Sequence, residues 1–334
     1  MILFGARDAG PAKYLSLLAQ NMPCEMRFIG SATSTPVFQS YSIERFSGDV
    51  GKANDIRLIV TGTCLGDGLD KELVVTGKSR GIPTIAIVDH WTFMEQRFID
   101  SAGCKVVPDE IIVNDEFARG RAIKAGLAKK HIHALGNPVL ESGEIKECRS
   151  KDNSDWDDPP HKIAGGKTIL FVSEQLSLDY ENNLYNSEGY DEFEVLEDIC
   201  SVLTPKDSLE IKLHPQESRN KYDAYLSDRV SIVDSSVTLL TLLLKPDFVI
   251  GMRSMLLLEA SNIRHDIISY RPRSRDSFIG NQLRVTFPVE NRESLERALN
   301  GDTVIENRKV KDLFLGSIRQ IQDFILGRIA GEVV

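Results

Sequence analysis

The residues of this 334-residue chain that could do chemistry fall in five short stretches, each directly after an apolar run. In "SLEIKLHPQES" an imidazole, His214, ends a strand pattern and is followed by Pro215, which cannot continue a ladder. An imidazole at such a turn can donate a hydrogen bond to a phosphate or, protonated, neutralise one. Lys212 alternates with it on the same strand face. In "VIGMRSMLLLEASN" Gly251 ends a strand, Arg253 adds positive charge, and Ser254 is placed to cap a helix whose first amides face an anion. Glu259, about one and a half turns further on, suits ribose hydroxyls.

The other three stretches lie in the first half. "GARDAG" puts Gly5 and Gly10 where the backbone can approach a ligand and Arg7 and Asp8 where they can reach one. Its spacing is not GxGxxG, and no acidic residue clearly ends the second strand to hold a ribose, so a dinucleotide cofactor is poorly supported. "TGTCLGDGLDKE" holds Asp67 between Gly66 and Gly68, where a carboxylate can act as a general base; Asp70 and Glu72 read as first-turn helix charges. "IVDHWTFMEQRF" brings Asp89 and His90 together as an acid–base pair, with Trp91 offering a flat face to a sugar or base and Arg97 one or two turns later. Each stretch also has a plainer reading as a strand end, tight turn or capped helix start. Their shared position after strands is what gives them weight.

The elements that must position these residues alternate. "MILFG", "EMRFIG", "RLIVTG", "TIAIVD" and "EIIVND" read as strands, with helical patterns such as "PAKYLSLLAQNM", "KELVVTGKSRG" and "EFARGRAIKAG" between them. The second half repeats this with "KTILFVSEQ", "LEIKLHP", "VSIVDSS", "DFVIG" and "HDIISYRP" as strands and "YDEFEVLEDICSVL", "NKYDAYL", "SMLLLEASN" and "RESLERALNG" as helices. Parallel neighbours need crossover helices, so the expected fold class is α/β, two doubly wound Rossmann-like domains facing across a cleft. The boundaries are 1–141, a charged linker over 142–166 rich in Pro, Gly and Ser, and 167–334 with an amphipathic terminal helix carrying Leu313, Ile318, Ile321, Phe324 and Ile325. Open sheets of this type bind ligands beyond the strand ends.

Composition excludes several classes. With 40 basic and 49 acidic residues the net charge is -9, which opposes nonspecific attraction to nucleic acid. The longest apolar run, near Val237–Leu244, is too short to span a bilayer. A chain opening "MILFG" reads as cytoplasmic without a cleaved signal, with terminal-helix contact at the inner membrane face as the lesser alternative to packing on a domain. Five cysteines without a CxxC pair give neither a disulfide framework nor a zinc site. His131, His133, His161 and His265 lack ligand spacing and read as surface or packing residues; no metal is expected.

At this level the chain resembles the superfamily of GT-B-fold glycosyltransferases and UDP-N-acetylglucosamine 2-epimerases. "PDEIIVNDEFARGRAIKAGL" with "IHALGNPVLE" looks like the end of the epimerases' N-terminal domain, and "LHP" and "GMRSMLLLEAS" are similar to nucleotide-sugar-binding stretches of the C-terminal domain. The epimerases' paired glycines and paired glutamates are replaced by Arg253, Ser254 and a single Glu259, and their His-Glu-Ala-Gly segment by Asp89-His90-Trp91. Asp67-Gly68, His214-Pro215 and Ser254 resemble, in the same order, the motifs of bacterial sialyltransferases. Glycerophosphotransferases of wall-polymer synthesis share the last two.

The resemblance implies a metal-independent glycosyltransferase, with a nucleotide-sugar as substrate, no cofactor and a surface-glycan or protein acceptor. His214, Lys212, Gly251, Arg253 and Ser254 would hold the donor's phosphate end and Glu259 its ribose. Asp67, or Asp89 with His90, would deprotonate the acceptor, which would enter over Gly5, Arg7, Trp91 and Arg97. A 2-epimerase or hydrolase and a polyol-phosphate transferase are the alternatives, and a homodimer is compatible with each.

Overall fold

Runs rich in Ile, Leu and Val without polar alternation form strands buried on both faces, and these set the architecture of the computed structural model. It describes residues 1–143, 165–181, 188–214, 217–234, 236–274 and 278–331. The chain divides into two units, Met1–Ser142 with Phe314–Val334, and Gly143–Leu313.

In the first unit the strands are β1 Ile2–Ala6, β2 Met26–Gly30, β3 Glu44–Arg45, β4 Leu58–Thr61, β5 Thr84–Val88, β6 Glu110–Val113 and β7 Ile132–Ala134. They pair in the order β3-β2-β1-β4-β5-β6-β7, every pair parallel. The chain runs outward from β1 to β3 and returns to β4 beside β1, so the order reverses between β1 and β4. Side chains alternate across the sheet. Ile2 and Phe4 join Leu58, Val60, Ile85 and Ile87 in one core layer, while Leu3 and Ile59 pack with Leu73 and Ile82 in another. Helix Leu69–Arg80 supplies Leu73 and ends at Gly81, whose φ of +68° is the left-handed stop its sequence predicts.

The second unit repeats the pattern with β8 Thr168–Val172, β9 Ser208–Lys212, β10 Val230–Ile232, β11 Phe248–Gly251, β12 Ile267–Tyr270 and β13 Phe287–Val289, in the order β10-β9-β8-β11-β12-β13. All pairs are again parallel, and the order reverses between β8 and β11. Helices Glu192–Val202 and Arg292–Leu299 bury Val195, Leu196, Ile199, Leu295 and Leu299 against Ile169, Phe171, Ile250 and Ile268. Both sheets are therefore the parallel, doubly wound α/β sheets expected.

The structure departs from expectation at the C-terminus. The terminal pattern is broken at Gly316, with φ +88°, and the helix Ser317–Ala330 belongs to the first unit rather than closing the second. Its apolar stripe explains this: Ile321, Phe324 and Ile325 are buried in the core layer of Ile2 and Phe4. The "NKYDAYL" segment makes one 3-10 turn, Asp223–Tyr225, and "LLTLLL", read only as an apolar run, is the helix Leu239–Leu244. Most of the proposed linker, residues 144–164, lies outside the described residues.

The docking of the last helix is testable. Ile325→Ala should lower stability in urea unfolding by about 2–5 kcal/mol. Leu315→Ala, at a side chain 79% exposed, should change it by no more than roughly 0.5 kcal/mol.

Candidate functional site

Parallel strands direct all their carboxyl ends to one edge of a sheet, so the loops after them gather there. In the second unit that edge carries His214 after β9, Glu174 after β8, Arg253 and Ser254 after β11, and Arg271 after β12. Ser254 caps the short helix Met255–Ala260, its Oγ accepting from the Leu256 amide at 3.3 Å. Glu259 lies half-buried on that helix. Gly251 is buried, and a Cβ there would meet Leu257 at 3.1 Å, so its bare face serves helix packing instead of the ligand approach expected of it.

The backbone amide of Arg253 donates to Glu174 Oε1 at 2.7 Å, and its Nε stands 3.9 Å from Oε2. Burial pushes the Glu174 carboxyl up to about 7, against the opposing amides of Met252, Arg253 and Ser254 and the Arg253 charge. Arg253 also reaches Glu188, Nη1 to Oε1 at 3.0 Å. Despite burial, Glu188 is held below the usual carboxylate range by Arg271, Ser274 and Arg253.

His214 is exposed, and its amide donates to Glu217 Oε2 at 2.7 Å. Glu217 in turn accepts from Ser173 Oγ at 2.8 Å and Lys221 Nζ at 2.6 Å, so a buried polar network fixes the backbone from which the imidazole projects. Pro215 lies outside the described residues. Lys212 is partly buried, which lowers its pKa, and its Nζ donates to the Leu213 carbonyl at 3.3 Å.

In the first unit the reversal point lies between the loops "RDAG" and "GTCLGDG". Arg7 spans them, Nη1 donating to the carbonyls of Leu65 at 3.1 Å and Asp67 at 2.9 Å while its amide donates to Asp70 Oδ1 at 3.0 Å. Asp70 is the first-turn helix charge read from sequence, but it is 3% exposed, and burial pushes its carboxyl up to about 6. Asp89, after β5, pairs with Arg97 at 3.9 Å; burial pushes its pKa up and Arg97 opposes. A Cβ at Gly10 would stand 3.0 Å from Asp89 Oδ2, so a glycine there leaves room beside the carboxylate. His90 Nδ1 meets Thr92 Oγ1 at 2.8 Å.

Three expected ligand contacts and one expected base have other surroundings than the sequence suggests. Gly5 is buried inside β1, and a Cβ there would fall 2.1 Å from Leu73 Cδ1; its lack of a side chain admits the helix, not an acceptor. Trp91 is 1% exposed, with Nε1 donating to Asp115 at 2.8 Å and its ring edge-on to Phe314, so it is core and offers no open face. Arg97 clamps the loops after β4 and β5 through Thr63 and Thr92. Asp67 is exposed, but Ser101 donates to both its oxygens through amide and hydroxyl, and these bonds lower its pKa, the wrong direction for a base.

Glu174, Glu188 and Arg271 are not singled out by the sequence patterns, and Asp70 is read there only as a helix charge. The signal for Glu174 and Arg271 was available, since each lies within two residues after a strand, as His214 and Arg253 do. Among the histidines read as packing residues, His133 Nε2 meets Glu110 at 2.7 Å and His265 Nδ1 meets the Asn307 carbonyl at 2.8 Å; His161 is outside the described residues. Among the described residues no cluster of His, Cys, Asp and Glu is arranged to hold a metal.

No protein-family model matches this chain, and no curated protein matches it in sequence. Solved structures do resemble it in fold along their whole length. The UDP-GlcNAc 2-epimerase of Methanocaldococcus jannaschii, in complex with UDP-GlcNAc and UDP, has a TM-score of 0.64 at 11% identity, covering 98% of this chain and 99% of that one. MnaA of S. aureus with UDP gives 0.64 at 12% identity, covering 99% and 97%. The glycotransferase of kitacinnamycin gives 0.53 at 11%, covering 98% of each chain. The chain therefore has the fold of two Rossmann-like domains common to these epimerases and to GT-B glycosyltransferases.

The raised Glu174 pKa fixes a pH dependence. A carboxyl that titrates near 4.5 when unfolded and near 7 when folded gives stability below about pH 4.5 that is lost as pH rises through about 7. Wild type should therefore lose stability relative to Glu174→Gln between pH 5 and pH 8, on the order of 3 kcal/mol. Parallel pH profiles of urea unfolding for the two proteins measure the difference.

Proposed function

We propose that this chain is a nucleotide-sugar-acting enzyme whose second unit binds the nucleotide at the carboxyl edge of its sheet. The observation that supports this most is the placement of His214 after β9 and of Arg253 and Ser254 after β11, on either side of β8, where the strand order reverses. Two like-folded structures, the M. jannaschii epimerase and S. aureus MnaA, hold UDP, so UDP is the nucleotide proposed. Arg253 and His214 would lie at the phosphates, where positive charge and hydrogen bonds stabilise a departing nucleoside diphosphate. Ser254 and Glu259 would orient phosphate and ribose.

The acid–base role is assigned to Asp89, with His90 as the second candidate. Asp89 pairs with Arg97 at 3.9 Å and burial raises its pKa, which brings it nearer the pH at which a base is most effective. In sugar transfer Asp89 takes the proton of the acceptor hydroxyl as oxygen bonds to the anomeric carbon and the bond to UDP breaks. The acceptor proposed is a glycan or protein hydroxyl. The epimerase reading is favoured by the recurrence of UDP-GlcNAc 2-epimerases among the like-folded structures. In that reaction the same carboxyl would move a proton at the sugar, and no acceptor is needed.

Three measurements follow from this. UDP at about one hundred times its dissociation constant should stabilise the protein by about 2.7 kcal/mol, read as a thermal shift, and Arg253→Ala should remove that shift. Asp89→Asn should lower turnover of the UDP-sugar by roughly 10²–10⁴ while leaving UDP affinity intact. Turnover that requires an added acceptor supports transfer; turnover of UDP-GlcNAc without one supports epimerisation.

A further inference from the structure

Beyond β11 and β12, two guanidinium groups meet one carboxylate. Arg253 Nη1 lies 3.0 Å from Glu188 Oε1, and Arg271 Nη2 donates to Glu188 Oε2. The same Oε2 accepts from the Tyr190 hydroxyl at 3.0 Å and from Ser274 Oγ at 2.8 Å. Tyr190 is itself oriented by Arg271, whose Nε donates to its hydroxyl at 3.1 Å. Two planar guanidinium forks and two hydroxyls around one anion form a donor set suited to phosphate oxygens.

The surroundings sharpen this. Arg253, Arg271 and Glu188 have side chains 18%, 5% and 12% exposed, so the charges are largely withdrawn from water. Among the described residues one carboxylate, Glu188, stands between the two guanidiniums, and another acid near Arg253, Glu174, is shifted by burial toward its neutral form. Glu188 offers two oxygens to four donors, whereas a phosphate group offers three. Arg253, Arg271 and Ser274 stand at or just after strand ends, while Glu188 is in neither helix nor strand, preceding the helix Glu192–Val202.

We propose that this cage seats the phosphate oxygens of the ligand, that Arg271 is one of its phosphate-binding residues, and that Glu188 is a resident anion which the phosphate displaces. The identity of the ligand as a nucleoside diphosphate rests on the function proposed above; the oxyanion cage rests on its own donors. No covalent step is involved. The bound phosphate takes over the hydrogen bonds that Glu188 now accepts.

Isothermal titration of the full chain with UDP and with inorganic pyrophosphate tests this in wild type, Glu188→Gln and Arg271→Lys. Glu188→Gln keeps the side-chain shape and removes the competing charge, so both probes should bind roughly tenfold tighter. Arg271→Lys loses the fork and should weaken both roughly tenfold or more. A purely structural ion pair gives no gain in affinity in Glu188→Gln together with a lower melting temperature, and that result overturns the proposal. UDP binding to wild type that neither variant alters overturns it too, while leaving the nucleotide-sugar reading in place. Pyrophosphate binding that tightens in Glu188→Gln without any UDP binding keeps the cage and removes the nucleotide reading. If Glu188→Gln fails to fold by circular dichroism, Ser274→Ala should weaken pyrophosphate binding severalfold, and unchanged affinity there overturns the cage.

Discussion

Parallel strand pairing is the constraint from which the rest follows. A parallel neighbour can be reached only by crossing over the sheet, so each strand hands the chain to a loop at its carboxyl end before the return. In the first unit this collects Arg7, Asp67 and Asp89 at one edge, and in the second Glu174, His214, Arg253 and Arg271. The reversals between β1 and β4 and between β8 and β11 then decide which loops diverge. The chemistry is placed by topology before any particular side chain is considered.

What distinguishes these edges is how their charges are buried. A charge removed from water must be paired and hydrogen-bonded, or it shifts toward neutrality. Both responses occur in the second unit: Glu188 stays ionised among two arginines and two hydroxyls, while Glu174, with one arginine at 3.9 Å, is pushed up to about 7. The first unit shows the same contrast, with Asp67 at the surface held low by Ser101 and Asp89 and Asp70 raised by burial. Burial therefore raises the carboxyls of Asp89 and Asp70, whereas the glycine-flanked carboxylate that the sequence makes prominent is held low.

The alternation of apolar runs with helical patterns was enough to read the fold class, because doubly buried parallel strands leave so plain a signature. The two-residue β3 was too short and too exposed to leave one, and "LLTLLL" has the same composition whether strand or helix. Placement after strands singled out His214, Arg253 and Asp89, and each does follow a strand of the structure. Burial was the quantity it could not supply: Trp91 and Gly5 carried the types expected of ligand contacts, yet a helix or core residue fills the space beside each. Glu188 escaped notice for a different reason, since its arginine partners lie 65 and 83 residues away in sequence.

The most direct test of the central claim is amide hydrogen exchange with and without UDP. Slower exchange is expected in the segments following β8, β9, β11 and β12, around Glu174, His214, Arg253 and Arg271, with the opposite edge of that sheet unchanged. Protection confined to other segments, or none at UDP concentrations that saturate the like-folded epimerases, would contradict a nucleotide site at the carboxyl edge of the second sheet.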